Sequence, residues 1–222
     1  MSNDCTEERF LKDVSTHQMK ILRDDGVNRH IRFSRPNTSC CHFDLITWTG
    51  KLCYTGDMGT YVFARIEDMF EFFRSDRKYG KSKGRNLSIN LGYWSEKLLA
   101  VDGGRSGGSV QEFDEGAFNK VVMNYLLEWI KEHRDSTTKE DRRDLWDAVI
   151  SEVINADGDT GGMRKQIAGH DFHHTVNSKH EFYFQDLREY NTESYTYHFI
   201  WCCYALAWGI EQYDKELELL AV

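Results

Sequence analysis

His42-Phe43-Asp44-Leu45-Ile46-Thr47-Trp48-Thr49-Gly50-Lys51-Leu52-Cys53-Tyr54-Thr55-Gly56-Asp57-Met58-Gly59-Thr60-Tyr61-Val62-Phe63 consists of three β-branched or aromatic runs separated by two glycine-bearing breaks. Runs of this kind, closed by turn residues, predict strands rather than helices. The step Trp48-Thr49-Gly50-Lys51 is short enough for a tight hairpin, and Gly50 can take the positive φ that such a turn needs. Upstream, Ile31 and Phe33 alternate in the same way before the Pro36-Asn37 break. The region from His30 to Arg65 is therefore an expected antiparallel β-meander.

Helical spacing flanks the meander. Phe10, Leu11, Val14, Ile21 and Leu22 predict a helix over Phe10 to Leu22, stopped by Asp24-Asp25-Gly26. Met69, Phe70 and Phe73 follow Ile66 at i+3, i+4 and i+7 and predict a second helix lying on the sheet. Leu87, Ile89 and Leu91 alternate as a strand would, and Lys97 to Val101 predict another. Two amphipathic helices are expected beyond a Gly/Ser-rich loop at 102–109, one carrying Phe118, Val121, Val122, Tyr125, Leu126, Trp129 and Ile130, the other Leu145, Trp146, Val149, Ile150, Val153 and Ile154. Ser136-Thr137-Thr138-Lys139-Glu140-Asp141 has the hydroxyl-then-carboxylate order of a helix start. The segment Thr196–Tyr213 is apolar nearly all round, too short for a bilayer, and predicts a buried final helix. The fold class is α+β: a β-rich lobe over 1–101, the loop 102–109, and a mainly helical lobe over 110–222, or all of these as one continuous domain.

With 222 residues, 40% hydrophobic and a single proline, the chain can bury its own core. The net charge of −8 repels phosphate backbones and anionic membranes, so neither nucleic acid nor a membrane is the expected partner. Asp4, Glu7, Glu8 and Arg9 interrupt any apolar leader, and six cysteines without C-x-x-C spacing are expected as free thiols in a reducing cytoplasm. The vicinal pairs Cys40-Cys41 and Cys202-Cys203 are expected to diverge on a strand or a helix, which makes them poor ligand pairs.

Several constellations bear on chemistry. Arg74, Arg77, Lys78, Lys81, Lys83 and Arg85 form a basic segment, read either as a solvated loop or as a docking patch. Gly103-Gly104-Arg105-Ser106-Gly107-Gly108 lacks both the P-loop ending and the dinucleotide spacing. Asn155, Asp157 and Asp159 begin like a calcium loop, but Thr160 and Gln166 stand where glycine and glutamate belong. His170, His173, His174 and His180, near Asp171 and Glu181, are the densest metal-capable group, with His170 and His174 expected on one helix face and His170, His174 and His180 the expected ligands. No nucleophile elbow or deaminase motif occurs, so no catalytic residue and no cofactor are expected.

His42 to Trp48, Tyr54 to Phe63, Asp68 to Phe73 and Phe199 to Leu206 together resemble a family of small accessory proteins carried by tailed bacteriophages and prophages. The resemblance implies a protein of the infected bacterium's cytoplasm that inhibits a host defence complex, of Gabija, CRISPR or restriction type, by stoichiometric occlusion. Partner contacts are expected from Arg77, Tyr79, Lys81, Lys83 and Arg85, and from Tyr190 and Tyr195, with homo-oligomerisation through an apolar helix face. Two alternatives compete: a nucleotide- or nucleic-acid-processing enzyme holding a metal on the histidines, and a DNA mimic presenting rows of carboxylates.

Overall fold

A computed structural model describes residues 5–81, 87–102, 104, 108–156 and 162–220, the side chains of 78–81 excepted. The fold is α+β. The chain divides into two compact units, Met1–Val110 with Tyr195–Val222, and Gln111–Ser194.

The first unit is built on a six-stranded antiparallel meander in sequential order: β1 (Gln18–Asp25), β2 (Asn28–Ser34), β3 (His42–Trp48), β4 (Lys51–Gly56), β5 (Gly59–Ala64) and β6 (Leu98–Val101). Ile31 pairs with Leu45, Leu45 with Tyr54, and Tyr54 with Tyr61, so a period-two pattern places one apolar row across four strands. Phe33, Phe43, Leu52 and Phe63 extend that buried face. Gly50 has φ +74° in the β3–β4 turn, as its position between Trp48 and Lys51 predicts.

Three helices, α1 (Glu7–Val14), α2 (Met69–Lys81) and the final helix α7 (Tyr197–Leu220), add their apolar sides to the same core. Trp201 meets Phe10 and Phe43 edge-on at 5.0 and 5.6 Å, and Trp208 sits 5.2 Å from Phe33. At Gly209 an added Cβ would lie 2.9 Å from Leu45 and 3.1 Å from Phe33. A residue without a side chain is what lets α7 approach the sheet so closely. The sequence reading assigned this helix to a lobe over 110–222. It packs instead with the N-terminal sheet, whose aromatic face buries Phe199, Trp201, Cys202, Cys203 and Leu206 together.

Two further expectations change. The helix predicted over Phe10 to Leu22 ends at Val14, and Met19 and Ile21 belong to β1, where they alternate with Lys20 and Leu22. Leu87 to Leu91 is not a strand. Asn90 caps the short helix α3 (Leu91–Ser95), its side chain accepting from the Tyr93 amide, while Leu87 is buried in the core.

The second unit contains α4 (Glu115–Glu132), α5 (Lys139–Val149), continued by a π-helical turn over Ile150–Ile154, and α6 (Met163–Asp171). It also contains a hairpin of β8 (His173–Asn177) and β9 (His180–Tyr183). Phe118, Val122 and Leu126 stack one turn apart on α4 and close a core with Leu145, Val149, Val153, Phe172 and Phe182. Thr138 and Asp141 form a reciprocal capping box at the start of α5. β7 (Gln111–Phe113) pairs with β10 (Glu193–Tyr195) where the chain enters and leaves. Among the described residues no helix is long and apolar enough to cross a membrane.

Candidate functional site

The second unit holds the larger groove, about 480 Å³, lined by Phe118 from α4, Gln166 from α6, and the 187–193 segment that includes Leu187, Tyr190 and Glu193. A 3-10 turn over Leu187–Glu189 sets the segment's course, with Asp186 at φ +54° before it and the Tyr190 amide donating to the Leu187 carbonyl after it. Tyr190 is left 48% exposed; on α6, Met163 and Ile167 are 60% and 50% exposed to either side of Gln166. Large apolar side chains gathered in solvent beside a groove are a common mark of a protein contact surface.

The first unit holds a smaller cavity of about 250 Å³, lined by Asp13, His17, Arg35, Cys41, His42, Asp57, Met58 and Trp201. The β2–β3 connection builds one wall. The Arg35 amide donates to the Cys41 carbonyl at 3.0 Å, and Arg35 Nε donates to Thr16 Oγ1 at 3.2 Å. The loop holds Asn37 and Cys41 at φ +60° and +61°, a conformation costly for side chains without glycine's freedom. The His42 amide donates to Asp57 Oδ2 at 2.9 Å, and Trp201 Nε1 donates to Asp13 Oδ2 at 3.2 Å. His17 Nδ1 is buried, with the Cys41 backbone as its polar neighbour. Burial first, then the Arg35 charge, lowers the His17 pKa, with the Cys41 carbonyl, Asp57 and Asp13 opposing.

Sequence reasoning missed this cavity because it assigned the cysteines to strands or the buried helix. Cys40 and Cys41 lie in the loop before β3, and the Pro36-Asn37 break was the signal that a loop stood there. Their sulfurs do not diverge: Cys41 Sγ donates to Cys40 Sγ at 3.7 Å. The left-handed turn at Cys41 removes the strand alternation on which the divergence argument depended.

The other expected site residues separate. Arg77 is held by Asp214 on α7 at 2.6 Å, and Arg74 contacts the same carboxylate. Tyr195 shares a hydrogen bond with Ser95 Oγ at 3.1 Å and lies against Phe199, so it is part of the core's edge. The side chains of Tyr79 and Lys81, and all of Lys83 and Arg85, lie outside the described residues, as do Asp157, Asp159 and most of the Gly-rich loop. His170 and His174 do not share a helix face, because α6 ends at Asp171 and His174 stands on β8. Extended Phe172 breaks the helix to seat its ring in the core. His170 pairs with Asp171, His174 lies parallel to Phe172, and His180 meets His133 edge-on. Among the described residues no three His, Cys, Asp or Glu side chains converge as a metal site.

Charge on the first unit is used internally. Arg32 grips Asp44 with two 2.8 Å bonds and Arg29 grips Asp68 with two 2.9 Å bonds. Burial raises both carboxyls, and the arginines outweigh it, holding Asp44 and Asp68 below the usual carboxylate range. Carboxylates neutralised in this way are removed from any DNA-mimicking row.

No family model, no curated protein and no solved structure matches this chain.

Proposed function

We propose that the protein is a phage-encoded inhibitor of a bacterial antiviral defence complex, acting in the host cytoplasm by stoichiometric binding that blocks the complex's access to its substrate. The observation that supports this reading is the groove of Gln111–Ser194, lined by Phe118, Leu187 and the exposed Tyr190 among polar residues, with Met163 and Ile167 exposed on α6, the helix that contributes Gln166 to it. A few aromatic and aliphatic anchors that lose their water on contact supply most of an interface's binding energy. The net charge of −8 favours a basic subunit as the occupant, such as the nucleic-acid-binding surface of a nuclease or effector. Self-association would raise avidity against an oligomeric target.

The test uses the full chain as bait in bacteria carrying Gabija, CRISPR or restriction operons, followed by assay of the recovered complex. A defence component is expected to co-purify and to lose nuclease activity, with both effects reduced at least tenfold by Tyr190→Ala combined with Ile167→Glu. Recovery of no defence component across these systems, or inhibition that survives both substitutions, overturns the proposal.

A second reading, an enzyme acting on a nucleotide, draws on the first-unit cavity, where Arg35 and two histidines stand near two carboxylates. It predicts a nucleotide-dependent rise in melting temperature that Arg35→Ala removes. No rise with any common nucleotide removes the reading.

A further inference from the structure

Cys40 and Cys41 differ from the other cysteines of the chain. Cys5, Cys202 and Cys203 are buried, and Cys53 is half-buried in β4. Burial pushes the Cys5 thiol up to about 12 and raises Cys202 and Cys203 well above the ordinary range, so these three are inert. Cys40 is exposed, Cys41 is half-exposed at the edge of the 250 Å³ cavity, and their sulfurs are 3.7 Å apart. The backbone is held on both sides of the pair, by Thr38 Oγ1 donating to the Cys40 carbonyl at 2.6 Å and by the Arg35 amide on the Cys41 carbonyl. The two thiols are thus preset side by side on a loop that small molecules can reach.

We propose that Cys40-Cys41 is a thiol modification site, a vicinal dithiol that closes to a disulfide ring by exchange with a small-molecule disulfide of the glutathione type. The proposal is independent of the binding reading above. The thiolate of Cys40, the more exposed sulfur, attacks one sulfur of the small disulfide. A mixed disulfide forms, and one small thiol leaves, taking up the proton that Cys40 gave to solvent. Cys41, deprotonated in turn, attacks the Cys40 sulfur, the mixed S–S bond breaks, and the second small thiol leaves with a proton. Two electrons pass from the protein to the small disulfide, which leaves as two thiols.

The geometry favours the second step. Closing the ring moves the sulfurs from 3.7 Å to about 2.05 Å, a short approach within an exposed loop. Cys41 donates its S–H to Cys40, which pushes the Cys41 thiol up and leaves the accepting Cys40 sulfur as the first nucleophile. Adjacent Cα atoms lie about 3.8 Å apart, below the span of about 4.4–6.8 Å that ordinary disulfides bridge. The closed ring is therefore readily reduced, as labile and regulatory disulfides are. Because Cys41 lines the cavity, opening and closing the ring changes one wall of it.

The test incubates the full-length native protein with oxidised and reduced glutathione at graded ratios, blocks free thiols by alkylation, and weighs the tryptic peptide 33–51, which contains no other cysteine. The expected product is a peptide lighter by two hydrogens and carrying neither alkyl group nor glutathione, restored to two alkylated thiols by dithiothreitol. Cys40→Ser and Cys41→Ser should each accumulate a mixed disulfide with glutathione on the remaining sulfur, at least tenfold above the wild-type level. Cys5, Cys202 and Cys203 should resist alkylation until denaturant is added, which reports the fold within each sample. A wild-type peptide that retains glutathione to the same extent as the single variants, or that is alkylated on both sulfurs at every ratio, overturns the proposal.

Discussion

The two units differ in the size of their cores and in the arginine–aspartate pairs that brace them. In Met1–Val110 with Tyr195–Val222, arginines and aspartates are spent on one another. Arg29 joins Asp68 and leans on Phe70 and Tyr213, Arg32 joins Asp44, and Arg74 and Arg77 share Asp214. The largest aromatic side chains are buried there, around α7. In Gln111–Ser194 the core is smaller, the histidines make local contacts near the surface, and Tyr183, Tyr190, Met163 and Ile167 remain in solvent. Both units also leave large apolar side chains in solvent, Leu22, Ile66 and Leu99 in the first and Met163, Ile167 and Tyr190 in the second, so the contrast lies in the charge-braced scaffold of the first unit and not in exposure alone.

Removing the centre of the scaffold is the strongest way to break this contrast. Trp201→Ala deletes ring contacts to Phe10, Phe43 and Tyr54 and leaves Asp13 without its indole donor. It should cost about 3–5 kcal/mol of unfolding free energy in urea titration. A loss under about 1 kcal/mol would mean that α7 is not seated on the sheet as described.

Acid should act on the scaffold next. The lowered His17 pKa means that the unfolded chain binds a proton more readily than the folded one, so stability falls as pH drops below 6.5. Asp44 and Asp68 are lowered as well; their contribution is present above 3.8 and is lost as pH falls through their folded values. Denaturation followed from pH 7 downward should therefore show two declines, and His17→Gln should remove the upper one alone.

The smallest effect sharpens the other side of the comparison. Thr138→Ala opens the capping box of α5 and should cost about 1 kcal/mol, read as a modest fall in melting temperature with the fold retained.

The meander was legible because its order is local: each strand pairs with the next, and alternation at Phe43, Leu45, Tyr54 and Tyr61 fixes which face is buried. The helix start within Ser136 to Asp141 was legible for the same reason, and the structure assigns its cap to Thr138 and Asp141. The partner of the final helix was not, since an all-round apolar sequence states that a segment is buried without stating against what, and its contacts with Phe10 and Phe43 span most of the chain. The cavity escaped notice because its lining comes from α1, the α1–β1 connection, the β2–β3 loop, the start of β3, the β4–β5 turn and α7, which no sequence spacing connects. Tyr190 was read as a contact residue from its chemistry alone; the exposed α6 side chains beside the groove carry no periodic signal that separates them from core positions.

The central claim is that the protein acts by occupying space on another protein. Titrating it into a purified defence nuclease at nanomolar target concentration tests that claim most directly. Activity should fall linearly and reach its floor at an equimolar ratio, and the Tyr190→Ala, Ile167→Glu protein should leave it unchanged. Complete inhibition at a small fraction of that ratio, reached progressively with time, would mean that the protein turns over a substrate and would contradict the account.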